Sequence, residues 1–279
     1  MMKEKTVGIV GLGLMGGSLG LALKNIKQVN KIIGFDNNLT HQVQALDLKI
    51  VDKIVSYEEI LKADIIILAT PVEVTIKLLK NIKKLPKDTL IMDLGSTKEK
   101  IVDSVPDSIR KNFVAAHPMT GIEKSGPSYS TSSLYNNKVV LLCDLEDTGE
   151  KQYNLAIKFF KYINMLIIKT TSKSHDKHVS YISHLPHLIS FALVNTVLDN
   201  EKSHNILNLA AGGFKDTSRL AKSDSKMWID IFKQNSENML DTIEEFEKNL
   251  SLLKDTIKNK DWDVLDKEIK KANKISDIL

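Results

Sequence analysis

At 279 residues, with 42% hydrophobic and 27% charged side chains, the chain has the composition of an ordinary globular protein with one large core or two moderate ones. A formal charge of +4 with lysine spread along the chain, and aromatics at only 6%, argue against the clustered basic surface that nucleic-acid binding needs. Apolar runs such as Ile65 to Ala69 and Val139 to Cys143 fall far short of the roughly 18 residues of a membrane span, so no membrane partner is expected.

Met1 leads within a few residues into Thr6 to Val10, leaving no room for a cleavable leader and predicting a cytoplasmic protein. Further apolar runs at Lys31 to Phe35, Asp64 to Ala69, Thr89 to Asp93, Asn112 to Ala116, Lys138 to Leu142 and Met165 to Lys169 read as strands. Between them Ser18 to Asn25, Val72 to Ile82 and Gln152 to Tyr162 carry apolar residues at helical spacing, a βαβ pattern that predicts a buried parallel sheet. The lone Cys143 lies in an apolar run and reads as a buried reduced thiol. From about Ser172 strands cease, and His178 to Leu198, Met227 to Leu253 and Trp262 to Ile275 read as helices. The sequence thus predicts an α/β domain over 1–170 and an all-α domain over 171–279. The second has too few apolar seams to enclose a core alone, so its helices either exchange in a homodimer or pack on the first domain.

Gly11-Leu12-Gly13-Leu14-Met15-Gly16 matches G-x-G-x-x-G directly after a strand and at the start of a helix, the context in which such a turn cradles a pyrophosphate. Twenty residues past Gly16, Asp36 ends the second strand, where a carboxylate accepts ribose hydroxyls and repels a 2′-phosphate. NAD is therefore expected rather than NADP. Thr70 and Pro71 end one strand and Ser96 follows another, again at carboxyl ends where ligands of such sheets lie. Spacing alone makes Ser96 a helix cap for the segment starting Thr97-Lys98-Glu99. His117 follows Ala115-Ala116, beside the expected nicotinamide, and suits a base that accepts a hydroxyl proton, with an acid limb near 6.5 before environmental shifts, about that of an ordinary histidine. His184 and His187 are three apart but lack further ligands, so no metal is expected.

Together GLGLMGGSL (Gly11 to Leu19), DLGSTK (Asp93 to Lys98), HPMTGIEKSG (His117 to Gly126), SHLPH (Ser183 to His187) and AGGFKDTSRLAKSD (Ala211 to Asp224) with Met227-Trp228 resemble the prephenate dehydrogenases, in order over nearly the whole chain. The resemblance implies a Rossmann-type domain followed by a helical dimerisation domain. It also implies conversion of prephenate and NAD to 4-hydroxyphenylpyruvate, carbon dioxide and NADH on the route to tyrosine. By position, His117 looks like the catalytic histidine, and Ser96 like the serine supporting the ring hydroxyl and nicotinamide. His187 and Arg219 look like the residues that bind the substrate's carboxylate end, the Gly212-Gly213-Phe214 stretch flanks them, and Glu123 resembles a loop residue gating the site. Asp216, three residues before Arg219, is expected to steady its guanidinium. Ile122 stands where some relatives carry threonine. Trp228 reads as core or as the edge of the substrate pocket. Three alternatives stay open: arogenate as substrate, a β-hydroxyacid dehydrogenase using Lys173 or Lys177, and a non-catalytic NAD-sensing regulator.

Overall fold

The computed structural model describes residues 4–201 and 208–278. Eight strands, β1 (Lys5–Val10), β2 (Val29–Phe35), β3 (Lys53–Ile54), β4 (Ile65–Leu68), β5 (Leu90–Asp93), β6 (Phe113–Pro118), β7 (Val139–Cys143) and β8 (Leu166–Thr170), form one sheet in the order β3-β2-β1-β4-β5-β6-β7-β8. Neighbours are parallel except β6 and β7, which run antiparallel with His117 opposite Leu141. All seven runs singled out in the sequence become strands. The two-residue β3 is too short to leave an apolar signature.

Helices cover both faces: α1 (Leu14–Leu23), α2 (Leu39–Asp47), α3 (Tyr57–Ile60), α4 (Val72–Asn81), α5 (Glu99–Asp103), α6 (Asp107–Arg110) and α7 (Glu150–Tyr162). Alternate residues of one strand serve opposite layers, as the two-residue period of a strand requires. Ile65 and Ile67 pack with Leu19, Leu23 and Phe160 on one side, and Ile66 and Leu68 with Leu79, Ile101 and Phe113 on the other. Strands β4 and β5 are buried at every position, the mark of a sheet covered on both faces. The order reverses between β1 and β4, which opens the crevice where such sheets bind ligands.

Beyond β8 the described elements are helical: α8 (Ser172–Val179), a π turn (Ser180–His184), α9 (Leu185–Asp199), α10 (Gly212–Ser218), α11 (Ser225–Gln234), α12 (Ser236–Asn259) and α13 (Trp262–Asn273). The π turn lies just ahead of Pro186, whose missing N–H and bulky ring disfavour a regular turn there. The apolar periodicity predicts one helix over Met227 to Leu253. It is broken at Asn235, whose buried side chain turns inward to donate to the Asp176 carbonyl at 2.7 Å. The compact units are residues 1–235 and 236–279. Helix α8 belongs to the first because the Asp176 carboxylate accepts the Lys98 and Glu99 N–H groups that open α5. Ser172–Asp199 is the one described helical run long and apolar enough, by length and composition, to cross a membrane, yet it carries Asp176, His184 and His187 of the cluster described next.

Candidate active site

At the crevice, Gly11 has φ +89°, and a Cβ there would lie 2.5 Å from the Ala69 carbonyl oxygen, so the turn between β1 and α1 admits only glycine. A Cβ on Gly16 would collide with the Gly11 carbonyl, whereas one on Gly13 would meet nothing within 4 Å. The turn is thus tight against the sheet and open at Gly13, where a pyrophosphate would lie, and α1 starts there without a side-chain cap, leaving its first N–H groups free for an anion. Leu14 and Met15 form the first turn, and their carbonyls accept from Ser130 and Tyr135 of the loop after β6. Thr70 packs against the opposite wall, its hydroxyl 2.8 Å from that of Thr75, and Pro71 precedes α4.

The Asp36 carboxylate is held by the backbone N–H groups of Leu12 at 2.7 Å and Asn38 at 2.8 Å, with His41 Nδ1 at 3.3 Å. This ties the end of β2 to the glycine turn and leaves lone pairs for a ribose diol. His41 was not foreseen. Asp36→Ser should raise the Michaelis constant for NAD about ten- to hundred-fold, the size of a charge-assisted hydrogen bond, and narrow the gap to NADP. Paired titrations with the two dinucleotides check this; an unchanged constant for NAD would contradict it.

Near the carboxyl end of β6, His117 is buried, and its Nδ1 lies 2.8 Å from His175 Nε2. His175 Nδ1 in turn lies 2.7 Å from Asp176 Oδ1. Behind them Lys98, wholly buried, donates to the Asp93 carboxylate and to the Ala116 carbonyl at 2.8 Å. Burial first, then His175, Lys98 and His184, holds the His117 pKa well below the ordinary histidine range, so His117 is neutral at physiological pH. Ser96 sits half-buried after β5. It is not the helix cap that spacing suggested, because α5 starts at Glu99 and its first N–H groups are taken by Asp176 from another element. His175, Asp176, Asp93 and Asn235 were missed in the sequence. The stretch Ser172 to Val179 is polar, and a long-range contact at a separation of 58 residues has no local signature.

The residues expected at the substrate end lie on α9, on α10 and the turn between α10 and α11, and in the loop after β6. His187 stacks on Trp228 with ring centroids 3.7 Å apart, and its Nδ1 donates to the Ser183 carbonyl at 2.8 Å, leaving Nε2 free. Trp228 is buried, so it is at once core and a wall of this cluster. His184 is buried against it, its Nδ1 3.2 Å from Asn235 Nδ2, and burial lowers its pKa to about 4. Arg219 pairs with Glu123 of the loop after β6, and both act on His187 electrostatically, so these three are brought together. Asp216 does not steady Arg219: it is exposed on α10 and makes no ion pair with the guanidinium, which turns to Glu123 instead. Gly212 opens α10 and is exposed, and a Cβ there would meet no heavy atom within 4 Å. Lys173 and Lys177 are exposed on the outer face of α8 while His175 and Asp176 face inward, so neither lysine joins the cluster around His117. Cys143 is buried and unpaired, its thiol pushed up to about 12 by burial, which makes it unreactive.

A doubly wound sheet with a glycine turn at its switch point, a carboxylate at the end of β2 and a neutral buried histidine across the crevice defines an NAD-dependent dehydrogenase. The family description "Prephenate dehydrogenase, nucleotide-binding domain" matches residues 19–169, and "Prephenate dehydrogenase, dimerization domain" matches residues 171–271. The prephenate dehydrogenase of Bacillus subtilis (strain 168) is 32% identical over 283 residues, covering 99% of this chain and 76% of that protein. The crystal structure of prephenate dehydrogenase from A. aeolicus in complex with hydroxyphenyl propionate and NAD+ superposes with a TM-score of 0.92 at 34% identity, over 99% of each chain. Synechocystis arogenate dehydrogenase superposes at 0.79 with 27% identity, over 98% of this chain and 99% of that one. The chain belongs to the prephenate dehydrogenase family.

Proposed function

We propose that this chain is a prephenate dehydrogenase that uses NAD to oxidise and decarboxylate prephenate, with His117 as the base at the ring hydroxyl. The observation that carries this reading is a buried, neutral histidine near the carboxyl end of β6, in the same compact unit as a glycine-turn dinucleotide site and an arginine suited to a carboxylate. Bound NAD supplies the hydride acceptor. His117 Nε2 takes the ring hydroxyl proton as the hydride leaves the same carbon. The bond to the ring carboxylate then breaks, its electron pair closes the aromatic ring, and the phenolate oxygen recovers the proton from His117. No proton is lost to solvent, and aromatisation drives the step. Ser96 supports the hydroxyl and the nicotinamide, and Gly11, Gly13, Gly16 and Asp36 hold the dinucleotide. The functional division into a dinucleotide domain and a substrate and dimer domain falls near residue 170. Chromatography should find 4-hydroxyphenylpyruvate formed one for one with NADH; NADH without this product would refute the reading.

Arg219 grips the substrate's side-chain carboxylate, displacing Glu123 from the guanidinium, and His187 flanks it. Because that contact is remote from the reacting carbon it contributes to ground state and transition state alike. Arg219→Ala therefore raises the Michaelis constant for prephenate about ten- to hundred-fold, the size of a charge-assisted hydrogen bond, and hardly changes turnover. A folded variant with unchanged substrate kinetics would return Arg219 to an ordinary surface ion pair.

The helical segment pairs with a second copy of this chain. Ile182 is 67% exposed, Leu198 51% and Leu209 83%, apolar area that a partner would cover. Sedimentation should give about twice the 31.3 kDa chain mass; a monomer at micromolar concentration would contradict this.

A further inference from the structure

The proton positions in the histidine pair follow from its far end. The Asp176 carboxylate accepts the Lys98 N–H at 2.7 Å and the Glu99 N–H at 2.9 Å, and as a carboxylate it has no hydrogen to donate. His175 Nδ1, 2.7 Å away, must therefore carry the hydrogen between them. A neutral imidazole has one N–H, so His175 Nε2 is left as a lone pair. His117 Nδ1, 2.8 Å from it, must then be the donor, and His117 Nε2 becomes the lone pair. Only this tautomer of His117 can accept a hydroxyl proton at Nε2.

We propose that His175 and Asp176 are positioning residues that fix His117 in its Nδ1–H tautomer and steady the imidazolium formed during turnover. The assignment rests on the reading of His117 as the base. The carboxylate is itself held rigidly, by the two N–H groups of the α5 entry at its oxygens and by Asn235 at its backbone carbonyl at 2.7 Å. When His117 Nε2 takes the hydroxyl proton, its Nδ1 hydrogen can move across to His175 Nε2. The positive charge then rests on the ring that faces Asp176. When the phenolate recovers its proton, the shift reverses and every hydrogen returns to its starting atom. The other charged or titratable groups facing the pair are Lys98 and His184 towards His117, and Lys98, Asp93 and His184 towards His175. Lys98 is paired with Asp93, which leaves Asp176 as the carboxylate in direct hydrogen bond with the histidine pair.

An Asp176→Asn amide has one acceptor oxygen for the three donors that meet the carboxylate, so the bond that holds the His175 hydrogen on Nδ1 is weakened and the charge that steadies the imidazolium is lost. Turnover should fall by about 10² to 10⁴, the scale of losing an oriented base, with the Michaelis constants for prephenate and NAD little changed. The acid limb of the pH profile should move to lower pH because the imidazolium has lost its carboxylate. His175→Leu, which leaves the α5 cap intact, should give the same loss, and His175→Gln, whose amide oxygen can accept from His117 Nδ1, should restore part of it. Nitrogen-15 NMR of histidine-labelled, substrate-free wild-type protein should find the His117 hydrogen on Nδ1. A His117 hydrogen on Nε2, or wild-type turnover and pH profile in folded Asp176→Asn and His175→Leu, overturns the proposal. The NMR result needs no substrate, so failure of the tautomer is distinguishable from failure of the prephenate reading.

Discussion

His117→Asn should lower turnover by about 10² to 10⁴, because asparagine keeps polar volume but cannot take a proton in the transition state. NAD affinity should barely change, since the residues proposed to hold the dinucleotide, the glycine turn and Asp36, are left intact. The wild-type acid limb should lie well below the ordinary histidine range, not near it as His117 alone suggests in sequence. The sign follows from the site: burial, His175, Lys98 and His184 all disfavour the imidazolium, so the neutral base survives to lower pH and rate is lost only as pH falls through the depressed pKa. Turnover measured against pH for both proteins decides the matter. A variant with near-wild-type turnover and the same limb would remove His117 as the base.

Lys98→Met should destabilise the fold by about 3 to 5 kcal/mol, the cost of leaving one partner of a buried pair uncompensated. Both side chains of the Lys98–Asp93 pair are wholly buried, and burial raises the Asp93 pKa against the pull of Lys98. That loss is a large share of a typical net stability of about 5 to 15 kcal/mol. Adding Asp93→Asn should recover part of it, because the unpaired carboxylate is then gone. In whatever fraction folds, removing the Lys98 charge should also raise the His117 pKa and move the acid limb upward. Urea titration of the single and double variants checks this, and a loss below about 1 kcal/mol for Lys98→Met would show that the pair matters little.

Much of the fold was legible because its signals are local. The strands of a sheet buried on both faces are continuous apolar runs, and Ile65 to Leu68 or Leu90 to Asp93 announce themselves. The glycine turn and Asp36 were legible because backbone geometry demands them at fixed spacing. What local pattern cannot carry is pairing direction and long-range contact. Nothing in Val139 to Cys143 says that it runs antiparallel to β6. Lysine is ordinarily exposed, so Lys98 gave no sign of being buried beside Asp93. Ser96 looked like a cap because serine before an acidic helical turn usually is one, but the α5 N–H groups are met by Asp176 from 77 and 78 residues away. Asp216 lies at helical spacing from Arg219, yet the guanidinium found Glu123 across the loop, a partner 96 residues distant. Asn235 broke a continuous apolar periodicity because its amide is recruited to the Asp176 carbonyl.

The most direct test of the assigned reaction follows reduced dinucleotide by absorbance with prephenate and arogenate in parallel, each with NAD and with NADP. Prephenate with NAD should be the fastest pair, NADP should be poorly used because of Asp36, and arogenate should lag behind prephenate. No reduction with prephenate and NAD by a protein that binds NAD, or faster reduction with arogenate, would contradict it.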